Sequence, residues 1–397
     1  MKEQEEKKSE QNPPNPPSQG GKKKIAILHD AFLYRGWGER LVTLMAKSLG
    51  ADLVSGFFSS GSFDPRELGF EGKMIALGEP VFTKGIRHLV LKWRFFWKAH
   101  ILREYDTIIF SGDCLGALRH TEGRQNIYYC HTPPRYLYDF REKYLLSLPF
   151  FLRPIFALAF SFFASVYERN IRQFDLIITN SSTVQKRLRD FTHMDSSIIY
   201  PPTDTQFFTP MREAIYTDVP FPSKSYFYSW ARLSPPKRVD TIVSAFLGMP
   251  ERRLILSYGR NDPMKDRILR MIEGYENIIA IESPSDRLLL QLIQWAIATI
   301  YIPIDEDFGM SPVESMACGT PVIGADEGWL RETVIEGKTG KLIEIVNCEL
   351  WSVNLKQIIQ NTKKSEWVSM WDDCRERAED FSLEKFEKKL QSLLVKS

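Results

Sequence analysis

Glu306 and Glu314 are separated by seven residues in DEDFGMSPVESMACGTPVIG, with Phe308, Gly309, Met310, Ser311 and Pro312 forming a turn between them. The spacing predicts Glu306 in the loop after the apolar run ATIYIP and Glu314 in the first turns of the next helix. Backbone N–H groups at Gly309, Met310 and Ser311 then open a helix N-terminus, which favours an anion. A carboxylate beside it is suited to accept hydrogen bonds from sugar hydroxyls rather than to hold a phosphate. Upstream, WARLSPPKRVD sets Arg232 and Lys237 just after another apolar run, with prolines shaping the loop. Two cations on one loop hold a diphosphate and stabilise the charge growing on it as it departs. Taken alone, such a pair would be a solvated loop; its place two βα units before the carboxylate loop gives it weight.

Two further segments carry candidate chemistry. His131 ends QNIYYCH and precedes Pro133 and Pro134, so its ring is expected to project from a strand end. RGWGER supplies Gly36 and Gly38, which let backbone approach a ligand closely, although any tight turn uses glycine.

The elements that must position these residues alternate. IAILHD, DTIIFSG, QNIYYCH, DLIITNS and SSIIYPP read as buried strands in the first half, each ending in polar or turn residues. SYFYSWARL, RRLILSYG, NIIAIES, ATIYIP and TPVIGAD repeat the pattern in the second. Two successive α/β series predict two Rossmann-like doubly wound domains facing across a cleft, with ligands beyond the carboxyl ends of the strands. The expected boundaries are a disordered tail over 1–23, a first domain over 24–205, a Pro-rich linker over 206–222 and a second domain over 223–375. A C-terminal helix over 376–397 is expected to pack back on the first domain.

Composition bounds the partners. Lys plus Arg number 52 against 50 Asp plus Glu, a net charge of +2 that gives no basic excess for nucleic acid. Five scattered cysteines without CxxC spacing offer neither a zinc site nor a disulfide framework and fit a reducing compartment. The first residues mix charge with Pro, Gln and Asn and lack the apolar core of a signal peptide, so a cytoplasmic location is expected. The stretch 144–171 is rich in Phe and Leu, but Arg153 and Pro154 interrupt it, leaving a run too short to span a bilayer. Upstream, GIRHLVLKWRFFWKAHILREY mixes basic and aromatic residues. Together they predict either core helices or peripheral contact with the inner face of a membrane.

These motifs resemble the family 4 retaining glycosyltransferases of GT-B fold, along nearly the whole ordered chain. In that family an E-x7-E element follows a strand of the second domain, and Glu306 and Glu314 match it. By the resemblance, Glu314 would hold the donor's ribose hydroxyls and Glu306 would contact the transferred sugar. Arg232 and Lys237 would grip the donor diphosphate, and Phe308, Gly309, Met310 and Ser311 would line the donor site. RGWGER resembles the family's GGAER-type loop and implies donor contact through Gly36 and Gly38, with Trp37 where a small residue is common. CHTPPRYLYD resembles a segment of mannosyltransferases of lipopolysaccharide O-antigen assembly, implying that His131 contacts the transferred sugar and that Arg135 or Tyr136 shapes the acceptor side.

The activity so implied is retaining transfer of a hexose, mannose from GDP-mannose, to a lipid-linked or polysaccharide acceptor in cell-surface glycan biosynthesis. His131, Glu306, Arg232 and Lys237 are then the catalytic residues. No cofactor and no metal are expected, because fixed cations replace the ion and no DxD-like pair stands in a suitable loop. The alternatives are another GT-B enzyme, either a nucleotide-sugar epimerase or a transferase using a UDP-sugar, and a catalytically silent membrane-associated binding protein.

Overall fold

The computed structural model describes residues 23–33, 36–83, 85–210, 219–344 and 351–396. Residues 1–22 of the expected tail and 211–218 of the expected linker lie outside the described residues.

The first domain interleaves β1 (Ile25–His29), α1 (Trp37–Leu49), β2 (Asp52–Ser55), β3 (Met74–Ala76), α2 (Ile86–Trp97), β4 (Thr107–Ser111) and β5 (Gln125–Cys130). It continues with α3 (Arg141–Leu146), α4 (Arg153–Ile171), β6 (Leu176–Thr179), α5 (Ser182–Thr192) and β7 (Ser197–Ile198). Its sheet runs β3-β2-β1-β4-β5-β6-β7, parallel throughout. Strands covered by helices on both faces must be apolar on both, which is why β1 and β4 read as unbroken hydrophobic runs. Alternate residues serve opposite faces: Ala26 and Leu28 join the core beneath α2, while Ile27 joins the core beneath α1.

The second domain holds β8 (Tyr226–Ser229), α6 (Val239–Leu247), β9 (Arg253–Tyr258), α7 (Lys265–Ile272), β10 (Ile278–Glu282), α8 (Asp286–Trp295) and β11 (Thr299–Tyr301). Next come α9 (Ser311–Ala317), β12 (Val322–Ala325), α10 (Leu330–Thr333) and β13 (Gly340–Ile343). The sheet order is β10-β9-β8-β11-β12-β13, again parallel. Three helices, α11 (Trp351–Asn361), α12 (Lys364–Ser369) and α13 (Trp371–Ala378), complete this half. The chain then returns: Thr203 N–H donates to Phe381 O at 2.8 Å. The last helix, α14 (Leu383–Lys396), seats Phe386 and Leu390 in the core beneath α1 of the first domain.

Two expectations are corrected. Arg153 and Pro154 do not interrupt the apolar stretch; they start α4, with Pro154 in the first turn, where its missing N–H costs nothing. Among the described residues, Phe150–Ile171 is therefore a helix long and apolar enough to cross a membrane by length and composition. The topology forbids a single crossing, since that would put its ends on opposite sides of a bilayer. Yet β5 and β6, which it connects, are hydrogen-bonded neighbours. Nor are α2 and α4 core helices. Leu89 is 70% exposed, Phe150 78% and Leu158 73%, and Trp93, Trp97, Ile155 and Phe162 are also exposed.

Candidate active site

The carboxyl ends of β8 and β11 deliver the second domain's chemistry to one point. Lys237 lies in a short 3-10 turn after β8, and its Nζ donates to Tyr301 Oη at 2.7 Å and to Glu306 Oε2 at 2.5 Å. Burial keeps the Tyr301 phenol far from ionising, so the ammonium has one neutral and one charged acceptor. Both members of the ion pair are about four-fifths buried, which strengthens it over a surface pair. The sequence placed Lys237 and Glu306 on separate loops, and the fold joins them.

Two glycines fix the carboxylate loop. A Cβ at Gly309 would lie 2.6 Å from Tyr301 Oη, so only glycine lets the loop pass over that phenol. Gly328 has φ +59°, and its missing Cβ would lie 2.6 Å from Glu306 O, which accepts from Trp329 N–H at 3.3 Å. Gly328 was absent from the sequence-derived set; only its position beyond β12, in GADEGW, marks it.

Glu314 sits in the first turn of α9, which begins at Ser311 and spans seven residues. Burial pushes its carboxyl up to about 7, partly offset by Arg40 and by a hydrogen bond from the Trp230 indole. Trp230 in turn stacks on Tyr228, with ring centroids 5.2 Å apart. Arg40 comes from α1 of the first domain and pairs with Asp204 at 3.2 Å. Arg40 thus carries the first domain's charge to the second domain's carboxylate.

Arg232 stands apart from Lys237. Its side chain is 68% exposed, and its Nε lies 3.5 Å from Asp262. Asp262 is anchored by Leu233 N–H at 2.9 Å and Gly259 N–H at 3.0 Å. The two cations of one loop therefore do not form the paired cradle that the sequence suggested. Arg238 has a role of its own on that loop: in the left-handed region at φ 51°, it pairs with Glu327 and ties the loop to the turn after β12.

Across the gap, the strand ends of β1, β4 and β5 bring His29, Ser111 and His131 together. Ser111 Oγ lies 2.8 Å from His131 Nε2 and 3.3 Å from His29 Nδ1. Burial lowers His131 to about 4 and His29 to about 3, so both rings are neutral at physiological pH. Next to His29, Asp30 has a buried Oδ1 without a hydrogen-bond partner, and burial raises its carboxyl to about 8. Sequence reading passed over His29 and Asp30, although a polar pair at the end of IAILHD stands where open α/β sheets place ligands.

Aromatic rings bridge the domains. Trp37 lies 6.5 Å from His131, edge-on, and 5.9 Å from Phe308. Phe308 stacks on Trp329 at 4.2 Å, so its ring packs between aromatic neighbours while its backbone borders the Glu306 loop. Gly36 caps α1, where a Cβ would lie 2.3 Å from the Glu39 carboxylate; Gly38 has open space. Arg135 lies at the interdomain seam: it pairs with Asp139 at 2.6 Å and with Asp305 of the second domain at 2.7 Å. Arg187 joins the cluster through Asp305 at 2.8 Å and through Asp307. Among the described residues, no group of three or more His, Cys, Asp or Glu is arranged to hold a metal ion.

Two doubly wound parallel domains that present their strand ends to one cleft, with the last helix returned to the first domain, define the GT-B fold. Among solved structures, sucrose-phosphate synthase from Thermosynechococcus elongatus matches with TM-score 0.73 and 18% identity, covering 94% of this chain and 99% of that one. Anabaena HepE in complex with UDP and glucose matches with TM-score 0.72 and 19% identity, covering 94% and 100%.

Within that fold, residues 213–376 match the family described as Glycosyl transferases group 1. D-inositol 3-phosphate glycosyltransferases are similar in sequence. The Mycolicibacterium smegmatis protein is 24% identical over 48% of this chain and 47% of its own length. The Nocardiopsis dassonvillei protein is 28% identical over 48% and 49%. The chain spans about half the length of the curated relatives it matches.

Proposed function

We propose that this protein is a retaining glycosyltransferase that moves a hexose from a nucleoside-diphosphate donor to an acceptor hydroxyl without a metal ion. The observation that carries the reading is Lys237 Nζ held at 2.7 Å from Tyr301 Oη and 2.5 Å from Glu306, at the carboxyl ends of β8 and β11. A fixed cation there neutralises the leaving diphosphate as the glycosidic bond lengthens, the task a metal performs elsewhere. Arg232, exposed and lightly tied to Asp262, is free to swing onto the same diphosphate. Glu314 accepts ribose hydroxyls, and Glu306 contacts the sugar. His131, neutral and wedged against Ser111, offers a hydrogen bond to the sugar from the first domain.

Retention follows from same-face attack within an ion pair, with the leaving phosphate taking the acceptor proton. GDP-mannose is the donor we favour, on the resemblance of CHTPPRYLYD. A UDP-hexose is the second reading, favoured by the similarity of the fold to HepE with bound UDP and glucose. The exposed apolar faces of α2 and α4, rimmed by Lys98 over Trp93 and Arg119 over Phe96 and Trp97, support peripheral contact with an anionic membrane surface.

A panel of nucleotide sugars read by thermal shift, then by product analysis, tests the proposal. One donor should raise the melting temperature and yield free nucleoside diphosphate, slowly with water and fast with acceptor, unaffected by EDTA. Failure of every donor to bind, or abolition of turnover by EDTA, refutes it.

A further inference from the structure

The register of the first sheet gathers three polar side chains on one face, at the carboxyl ends of its central strands. His29 of β1 and Ser111 of β4 are direct neighbours, and Ser111 stands opposite Tyr129 of β5. His131 follows Tyr129 by two positions, so the alternation of a strand turns it to the same face. The three form a continuous chain. His29 Nδ1 lies 3.2 Å from Ser111 O and 3.3 Å from Ser111 Oγ, and Ser111 Oγ lies 2.8 Å from His131 Nε2. His29 and Ser111 are buried, and burial keeps both rings neutral. This chain has a direction. A carbonyl oxygen only accepts, so the proton of His29 is on Nδ1, shared between Ser111 O and Oγ. Having accepted from His29, the Ser111 hydroxyl donates its own hydrogen to His131 Nε2. A neutral imidazole carries one N–H, so that of His131 sits on Nδ1. Reversed, the chain would set lone pairs of His29 Nδ1 and Ser111 O against each other at 3.2 Å.

Nδ1 is the atom left for chemistry. Among the described residues it has no hydrogen-bond partner, and the ring is only partly buried, beside the edge of Trp37. We propose that Ser111 and His29 are positioning residues that lock His131 as its Nδ1–H tautomer, so that it presents a hydrogen-bond donor and no base to the cleft. This rests on the transferase reading for the role of the cleft, whereas the tautomer is a property of the first domain. In that role the N–H meets an oxygen of the transferred hexose as a neutral dipole. It adds no positive charge beside a sugar whose anomeric carbon becomes cationic as the glycosidic bond lengthens. His131 takes no proton from the acceptor, because its basic nitrogen, Nε2, is occupied by the Ser111 hydroxyl.

Nitrogen NMR of the full chain carrying isotope-labelled histidine tests the lock at about pH 7, with His131 identified among the six histidines by its loss in His131→Asn. His131 should show a protonated Nδ1 and an unprotonated Nε2. Ser111→Ala should convert the ring to the Nε2–H form or to a mixture, and Ser111→Thr, which keeps the hydroxyl, should restore the parent pattern. Thr107→Val removes a buried hydroxyl from the other end of β4, one that donates to Gln125 Oε1 at 2.8 Å, and should leave the ring unchanged. Turnover gives a second readout. Ser111→Ala should lower kcat about tenfold, the worth of one neutral hydrogen bond, but less than about twofold where His131 is already Ala. Melting temperature checks folding. His29→Phe, which removes the donor that orients the hydroxyl, replaces Ser111→Ala where that variant is unstable and should likewise release the Nε2–H form.

A proton on Nε2 in the parent, a ring indifferent to Ser111→Ala, or a folded Ser111→Thr that does not restore the parent pattern would overturn the assignment. So would equal losses of kcat from Ser111→Ala with and without the His131 ring, which mark a merely structural hydroxyl. A locked Nδ1–H ring in a chain that turns over no nucleotide sugar refutes the transferase reading alone. A working transferase whose His131 carries its proton on Nε2 refutes this inference alone.

Discussion

Glu314 is the residue whose role is most open to measurement. Burial holds its carboxyl at about 7 rather than the ordinary 4.5. At about 1.4 kcal/mol for each tenfold change in proton affinity, ionising it in the folded protein costs about 3 kcal/mol. The sign follows from the two states. Below its ordinary value the carboxyl is protonated whether the chain is folded or not, and nothing is lost. Between there and about 7 the unfolded chain releases a proton that the folded chain keeps, so stability falls as pH rises. Above about 7 both states are ionised and the loss levels off. Glu314→Gln removes the titration while preserving shape. Urea melts of both proteins should therefore diverge by about 2 kcal/mol between about pH 5.5 and about pH 8, the variant gaining relative to the parent. Ribose hydroxyls donating to Glu314 favour its ionised form, so nucleotide binding near about pH 6 should release a proton. Calorimetry in two buffers of different ionisation enthalpy reads that release, which Glu314→Gln should abolish. A stability difference flat with pH, or proton release unchanged in the variant, would refute the assignment of Glu314 to the ribose.

Lys237→Ala should lower kcat by a factor of about 100 to 1,000, measured by nucleotide release, and also lower the melting temperature because Glu306 is left unpaired. Arg232→Ala, starting from an exposed side chain, should leave stability within about 0.5 kcal/mol of the parent while cutting turnover by a factor of about 100; full activity would remove it from the donor site. Gly328→Ala forces a Cβ into the Glu306 backbone at positive φ, so both kcat and stability should fall, the latter by about 1 to 3 kcal/mol. Because His131 titrates at about 4, the rate profile should show no acid limb from it between about pH 6 and about pH 8, and His131→Asn should retain more activity than His131→Ala.

The central strands of both sheets were legible because β1, β4, β5, β6, β8, β9 and β11 are continuous apolar runs closed by turn residues. The strands that escaped were β2, β3 and β13. The last two lie at sheet edges: β3 is only three residues long with none fully buried, and β13 is interrupted by Lys341 and only partly buried, so their pattern carries little of the two-sided burial that marks a central strand. The carboxylate loop was legible for a similar reason: Glu306, Gly309 and Glu314 are close in sequence. What was not legible depends on packing between distant segments. Nothing local to Tyr301 predicts that its hydroxyl meets Lys237, and nothing in RYLYD predicts that Arg135 crosses to Asp305. The exposure of α2 and α4 was equally hidden, since an apolar helix reads alike whether it faces a core or solvent.

That interdomain cluster explains why Glu306 is presented as it is. Asp305, its neighbour, has φ 38°, a left-handed conformation that costs a non-glycine residue about 1 kcal/mol or more. Its carboxylate is gripped by Arg135 and Arg187, and its carbonyl accepts from Arg135 Nη1 at 3.1 Å. Ser181 Oγ donates to Asp307 O at 2.7 Å, so the first domain holds the chain on both sides of Glu306. Glu332 adds a third tie, accepting from Ser182 N–H at 2.9 Å and from Tyr200 Oη at 3.0 Å. Opening the cleft must break these bonds and leave Asp305 free to relax, which withdraws the support that aims Glu306 at Lys237. Closure and assembly of the site are therefore one equilibrium in this molecule, because the residues that hold the strained turn belong to the opposite domain.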